Sequence, residues 1–276
     1  NEVAAHENIR LFTSTSAVGT YNNNLVTGFQ IGKKEDVFDQ RYIEIRAKSV
    51  VAAAGCIERP LIFDNNERPG VMQIACALRL AKTYGQIPGK KAVFSIGHDL
   101  GLEAALELHD LGLAISCIAD IREDGQDPEL LKKIEDKKIP LLKGWVATKA
   151  HGRKLVKKVN LASVDGQVSK NFDCDLVVAS AGMTPVTGHI TVAQGTLKYD
   201  NHTGCFLPDQ MPEKMHAAGR VLGLNDPLSI EASGKLAGLP AAFDCENCSI
   251  QEIGEARKAL ENLPGPVRGT KLVTAP

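Results

Sequence analysis

The sequence has almost no net charge, few aromatic residues and no long apolar run. Its formal net charge of −1 gives no electrostatic case for binding nucleic acid or an anionic membrane surface. No apolar run approaches the roughly 20 residues of a membrane span, and no signal peptide is recognisable. Aromatic residues make up 5% of the chain, and we expect Trp145, the one tryptophan, in a core or an interface. We therefore predict a protein that binds neither nucleic acid nor membrane.

Motifs that identify common active sites are also missing. The chain contains no GxSxG, no HExxH, no P-loop and no EF-hand loop. Its seven histidines show no metal-ligand spacing (His6, His98, His109, His151, His189, His202 and His216). We therefore predict no metal site and assign no catalytic residue.

The seven cysteines are an odd number scattered through apolar surroundings, which favours reduced thiols over a disulfide framework. This pattern predicts a cytoplasmic location. Only Cys245 and Cys248 have a chemically meaningful spacing, CxxC. A redox or metal pair remains open there, although inert thiols near a helix end are the favoured interpretation.

The length suggests about two domains, and one unit occurs twice along the chain. Each copy is a β-meander, then an apolar strand, then a turn of small residues. The first copy ends at Ala54 and Gly55, after a strand predicted over 49–53 and expected to be buried on both faces. The second ends at Gly182. Small residues at a strand's C-terminal end let the backbone lie close to a ligand.

Apolar spacing predicts the remaining elements. The first meander is expected to comprise strands over 9–21, 25–31 and 41–47, and the second to flank a turn at Asp165-Gly166 with a strand over 154–162. A helix is predicted over 71–84. A strand over 91–96, a helix over 101–111 and a strand over 113–118 predict a βαβ unit with a parallel sheet.

The turn of this βαβ unit departs from the dinucleotide-binding pattern GxGxxG. Ile96 and His98 stand where the first two glycines are expected, and only Gly101 survives. An imidazole would take space that a pyrophosphate needs, and the Asp99 carboxylate would repel it. We predict that this second site binds no nucleotide, with a variant cofactor site or a His98–Asp99 acid–base pair as alternatives. Asp120 and Arg122 are interpreted as surface charges.

The segments ERPLIFDNNERPGVM, TYGQIPGKKAVF and CDLVVASAGMTPV resemble the α subunit of heterotetrameric sarcosine oxidase, over about residues 10–243. The resemblance implies an α/β, glutathione-reductase-like FAD/NAD(P)-binding fold of two nested Rossmann-like domains. The outer domain would lack its N-terminal half and comprise residues 1–66 and 184–248. The inserted NAD(P)-binding-like domain would comprise 67–183, and a C-terminal helix and linker would follow over 249–276.

The resemblance also implies partners and cofactors. The chain would be part of an oxidoreductase complex with other subunits of the sarcosine oxidase type. NAD would bind the outer site only if the missing N-terminal part is present, while FAD and FMN would lie on or against a flavin-bearing β subunit. Matching positions are Ala17 and Val18 in the meander, Ala54 and Gly55 in the strand-end turn, Gly219 in the return loop, and Glu231 and Ala232 in the last helix. The family's N-terminal GxGxxG and folate-binding region are absent from this sequence, and Gly219-Arg220 stands where related reductases have Gly-Asp.

Two other functions remain open at this point. One is an NAD(P)H-dependent flavoprotein disulfide reductase that uses the Cys245–Cys248 pair. The other is a non-catalytic dinucleotide-fold scaffold. We expect the chain alone to be inactive as an oxidase.

Overall fold

The structure is a computed structural model that describes residues 2–201, 203–246, 249, 251 and 254. Its contacts divide the chain into two units. The outer unit contains the described parts of Asn1–Cys56, Pro185–Tyr199 and Phe206–Val267, and the inner unit contains Ile57–Thr184 and the described part of Asp200–Cys205. The predicted helix and linker over 249–276 lie almost entirely outside the described residues.

The first crossing between the units comes earlier than the sequence analysis placed it. Residues 57–66 belong to the inner unit, because Asp64 donates its backbone N–H to the Thr148 carbonyl at 3.0 Å. The Asn65 side chain likewise donates to the Ala150 carbonyl at 2.9 Å. The domain boundary therefore falls after residue 56 and not after residue 66.

The outer unit begins with a short helix and an antiparallel meander in the order β1-β2-β3. Asn23 and Asn24 adopt positive φ in the turn between the first two strands, as asparagine tolerates. The first strand is shorter than the predicted 9–21, because Ser14 has a φ of 52°. The elements are α1 (Glu2–Ala5), β1 (Thr15–Tyr21), β2 (Leu25–Ile31) and β3 (Gln40–Arg46).

The strand before the first small-residue turn is β4 (Val50–Ala52), and the expectation that both of its faces are buried is wrong. Val51 is 41% exposed, whereas Ala52 is buried. Within the described residues β4 pairs along one edge only, in a sheet of two strands. The chain then passes through β5 (Cys56–Glu58) toward the inner unit.

The inner unit is built on five parallel strands. The elements are β6 (Val71–Met72), α2 (Ile74–Tyr84), β7 (Lys91–Ile96), α3 (Asp99–Asp110), β8 (Ala114–Asp120), α4 (Pro128–Asp136), β9 (Leu141–Lys143), β10 (Trp145–His151), β11 (Lys158–Ser163), β12 (Ser169–Asp173) and β13 (Leu176–Ala179). The sheet order is β6-β13-β7-β8-β9, and β10, β11 and β12 form a separate antiparallel meander.

Two predictions for this unit need correction. The helix predicted over 71–84 begins at Ile74, because Val71 and Met72 pair with β13 as a short strand. The meander has a strand, β10, that the sequence analysis missed, and the strand predicted over 154–162 begins only at Lys158.

The parallel sheet of the inner unit is covered on both faces. Phe94, Ile118 and Leu176 belong to a cluster with residues of α2, α3 and α4. Val93 and Val177 belong to a second cluster with residues of the meander. Strands buried on both faces read as continuous apolar runs, which is why β7, β8 and β13 could be recognised in the sequence.

The first turn of α2 is closed by a side chain from far upstream. The Glu58 carboxylate accepts hydrogen bonds from the backbone N–H groups of Ile74 and Ala75, each at 2.8 Å. The preceding residue, Gln73, makes no side-chain cap and instead donates its amide to the Glu58 carbonyl at 2.9 Å. A carboxylate at this position satisfies two otherwise unpaired donors and complements the helix dipole.

We expect Glu58→Gln to lower the stability of the inner unit by about 1–2 kcal/mol, because the amide offers one acceptor oxygen and no charge. Urea unfolding followed by Trp145 fluorescence measures this, since Trp145 lies in the inner unit. Glu107→Gln is the matched control, because Glu107 forms an exposed pair with Lys82 worth at most about 1 kcal/mol. Equal effects of the two substitutions would contradict the prediction.

The chain returns to the outer unit through β14 (Met183–Pro185), α5 (Gly188–Val192), β15 (Leu197–Asp200), β16 (Cys205–Pro208), β17 (Met215–Ala217) and α6 (Pro227–Asp244). The return strand β17 pairs with β4 in parallel, with His216 opposite Val51. The last helix begins at Pro227, with Asp226 as its cap. None of the helices in the described part of the chain is long and apolar enough to span a membrane.

Candidate functional site

The pairing of β4 with β17 brings three of the predicted residues to one edge of the outer unit. Ala54 and Gly55 follow β4, and Gly219 follows β17; between the strands the Ala218 N–H donates to the Ala52 carbonyl at 3.0 Å. Gly55 and Gly219 have φ values of 76° and 75°, which favour glycine. A Cβ on Gly55 would meet no atom within 4 Å, so the turn borders open space.

Helix α6 supports the same edge through its buried side. The Gly219 N–H donates to Ser233 Oγ at 2.7 Å, and Ala232, the preceding residue, is buried. Glu231 lies on the exposed side of the helix, where its carboxylate is 2.7 Å from Lys235 Nζ. That hydrogen bond lowers the pKa of Glu231. Ser233 therefore holds the turn, with the buried Ala232 next to it in the helix, while the Glu231 carboxylate is bound by Lys235 of the same helix.

Ala17 and Val18 lie in the separate three-stranded sheet. Both are exposed, and the pairing of β1 with β2 is interrupted by a bulge between Ala17 and Gly19. The side chains of Ala17 and Val18 form an apolar surface and carry no polar group. The predicted residues thus fall into a turn set (Ala54, Gly55, Gly219 and Ala232) and a meander set (Ala17 and Val18), with Glu231 apart from both.

The turn set has features that fit part of a dinucleotide. Small residues, glycines at positive φ and the open space beside Gly55 allow a close approach of ligand to backbone. The Gly219 N–H, however, is already used by Ser233, and the first turn of α6 is capped by the Asp226 carboxylate, which accepts from Ser229 N–H at 2.7 Å. This edge can shape a binding surface, but it does not supply a pyrophosphate cradle.

A polar cluster in the outer unit was not predicted. Ser49 Oγ donates to Asp244 Oδ2 at 2.8 Å, and His216 Nε2 lies 2.8 Å from the same oxygen. The hydrogen bond with His216, more than that with Ser49, lowers the pKa of Asp244. Because one carboxylate oxygen joins both partners, the cluster ties the end of α6 to β17 and to the residue before β4. The three residues are far apart in sequence, so no local sequence pattern predicts the cluster.

In the inner unit, the interpretation of Asp120 and Arg122 as surface charges is wrong. Asp120 is fully buried, and the Arg122 side chain is 10% exposed. Arg122 Nη2 lies 2.8 Å from Asp120 Oδ2 and 2.8 Å from Asp99 Oδ1. His98 is also buried, with Nε2 2.9 Å from Ser180 Oγ. These side chains lie at the carboxyl ends of β7, β8 and β13.

Two of the cysteines that the structure describes have unreactive thiols. Burial raises the pKa of Cys117 and of Cys174 to about 12, so neither is a thiolate at neutral pH. Cys245 caps the end of α6, while Cys248 lies outside the described residues. The CxxC pair therefore stays a sequence-level hypothesis.

Comparison with known proteins supports the resemblance. No protein-family model matches the chain. The sarcosine oxidase subunit alpha of Corynebacterium sp. (strain U-96) is 28% identical over 284 residues, 99% of this chain and 29% of that protein. That of Corynebacterium sp. (strain P-1) is 27% identical over 285 residues, again 99% of this chain and 29% of that protein. The predicted resemblance is confirmed, and the chain spans 29% of the length of these relatives.

Solved structures confirm the fold class. L-proline dehydrogenase from P. horikoshii matches 98% of this chain and 48% of its own, with a TM-score of 0.68 and 20% identity. Thioredoxin reductase from T. acidophilum matches 83% of this chain and 72% of its own, with a TM-score of 0.60 and 17% identity. A FAD-dependent pyridine nucleotide-disulphide oxidoreductase from Desulfovibrio vulgaris matches 83% of this chain and 61% of its own, with a TM-score of 0.59 and 16% identity. At these identities the likeness concerns the fold.

Proposed function

We propose that this chain is part of the α subunit of a sarcosine oxidase-like amine oxidoreductase, and that its outer unit forms one side of a dinucleotide site that takes NAD. The observation that carries the proposal is the similarity to two sarcosine oxidase α subunits over 99% of the chain. The similarity extends through both units of the chain, whereas a shared nucleotide-binding module alone would give a match in one unit only.

The outer unit supports the idea that a longer polypeptide completes the site. Its parallel sheet has two strands within the described residues, fewer than the three or more that usually make a sheet independently stable. Val51 of β4 is 41% exposed, although β4 is an apolar strand. Additional strands beside β4 would cover this residue and supply the pyrophosphate cradle that the turn set lacks.

In this proposal the residues of this chain contribute the shape of the binding surface. Ala54, Gly55 and Gly219 would offer backbone to the dinucleotide, and Ala232 and Ser233 would hold the Gly219 turn in place. A bound NAD would supply hydride chemistry, whereas Ala54, Gly55 and Gly219 carry no ionisable side chain that could move a proton. As the resemblance to sarcosine oxidase implies, oxidation of the amine would take place at FAD and FMN on a flavin-bearing β subunit.

The test is to purify the complete gene product with its partner subunits, release bound nucleotides and identify them by chromatography. We expect an equimolar amount of NAD. The variant Gly55→Val should lower this amount more than about tenfold, because a side chain would enter the space beside the turn. Gly166→Val is the matched control, since Gly166 also has a positive φ of 73° and open space around it but lies in the inner unit.

A Gly55→Val variant that keeps its full NAD content would show that the turn does not contact NAD. A complex that assembles with flavin subunits but contains no dinucleotide would contradict the NAD assignment. A gene product that purifies without any flavin-bearing partner would contradict the proposed complex.

A further inference from the structure

The inner unit has a place where this fold normally receives a ligand. In open parallel sheets the ligand lies beyond the carboxyl ends of the strands, where the strand order reverses. Here the chain runs outward from β7 to β8 and β9 and returns to β13 on the other side of β7. The corresponding crevice therefore lies between the ends of β7 and β13, beside the first turn of α3. We call it the inner crevice.

The side chain of Ile96 occupies the floor of the inner crevice. Ile96 ends β7 and is 2% exposed. A Cβ built on Gly101 in α3 would lie 2.7 Å from Ile96 Cγ2 and 2.8 Å from Ile96 Cβ. Position 101 must therefore be a glycine, because the Ile96 side chain fills the space beside it. In the dinucleotide-binding pattern a glycine stands in place of Ile96 and leaves this space empty.

His98 bridges the inner crevice from one strand to the other. Its Nε2 shares a hydrogen bond of 2.9 Å with Ser180 Oγ, directly after β13, and the residue is 6% exposed. Burial, reinforced by the charge of Arg122, lowers the pKa of His98 to about 4. At neutral pH the imidazole is therefore uncharged, and it offers no positive charge to a phosphate.

The charged groups beside the inner crevice form ion pairs with one another. Arg122 donates from Nη2 to Asp99 and to Asp120, and from Nε to Asp120 at 3.1 Å. The Arg122 backbone N–H donates to Asp120 Oδ1 at 3.0 Å. Both carboxylates therefore engage the Arg122 guanidinium at the start of α3, where a diphosphate would need the helix dipole and free donors.

We propose that the inner unit binds no dinucleotide, because its own side chains fill and bridge the crevice that its fold offers to one. The inner unit then acts as a structural element of the protein. This inference goes beyond the proposed function, because it concerns a different unit and rests on the side chains of that unit alone.

Hydrogen–deuterium exchange of the full chain tests the proposal, with NADPH and NAD⁺ as probes. We expect neither nucleotide to change exchange in peptides covering residues 96–103 and 118–124. Protection of these peptides by either nucleotide would overturn the proposal. Peptides covering residues 53–57 report the outer site separately, so that a failure of the proposed function is not confused with a failure here.

A variant tests directly whether His98 covers the crevice. We expect His98→Ala to speed exchange of the amides of residues 97–101 by about tenfold or more, because the bridge to Ser180 is lost. Trp145 fluorescence should stay unchanged, which verifies that the inner unit is folded. Unchanged exchange in a folded His98→Ala variant would contradict the filled crevice. Ser180→Ala removes the same hydrogen bond with less loss of packing, and should give a smaller increase.

Discussion

Replacing Arg122 with methionine should destabilise the inner unit by about 3–5 kcal/mol, because it leaves the buried Asp120 charge without its partner. Asp120 is fully buried and receives three hydrogen bonds from Arg122, one from the backbone and two from the guanidinium. Only the backbone N–H would remain. Burial disfavours the charge of Arg122, but the hydrogen bonds and charges of Asp120 and Asp99 outweigh it and raise the pKa of Arg122.

The measurement is urea unfolding monitored by the fluorescence of Trp145, which reports the inner unit. The matched control is the double variant Asp120→Asn and Arg122→Met, which removes the buried charge together with its partner and should recover most of the loss. A loss of less than about 1 kcal/mol in Arg122→Met would mean that water or another group reaches Asp120. The control would then show no recovery.

Much of the inner sheet could be predicted from the sequence, because strands buried on both faces give unbroken apolar runs. The strand predicted over 91–96 is present with these bounds, and the helix predicted over 101–111 is present over Asp99–Asp110. The defects of that turn were also readable, since Ile96 and His98 replace expected glycines. The sequence therefore predicts that no nucleotide binds at this turn, with Ile96 and His98 in the space that a ligand would need.

The burial of the charged residues beside the crevice could not be predicted, because Asp99, the third member of their ion-pair cluster, is 23 residues from Arg122. Asp120 and Arg122 look like surface charges when their polarity is the only guide, and their burial depends on pairing with each other and with Asp99. Likewise, Glu58 caps a helix that begins 16 residues later. Strand β10, with the sequence WVATKAH, gives a weak alternation because Ala147 and Ala150 are small.

Phe94→Ala should destabilise the inner unit by about 3–5 kcal/mol, because it opens a cavity that the surrounding residues cannot fill. Phe94 is fully buried in the middle of β7, the strand that leads into the Ile96–Gly101 turn, and it belongs to the cluster between the sheet and the helices. Urea unfolding followed by Trp145 fluorescence again gives the loss. Phe29→Ala is the control, because Phe29 is also on a strand but is 38% exposed and lies in the outer unit. We expect it to leave the Trp145 transition within about 0.5 kcal/mol of its original value. A loss for Phe94→Ala as small as that of the control would mean that β7 does not lie at the centre of the core of the inner unit.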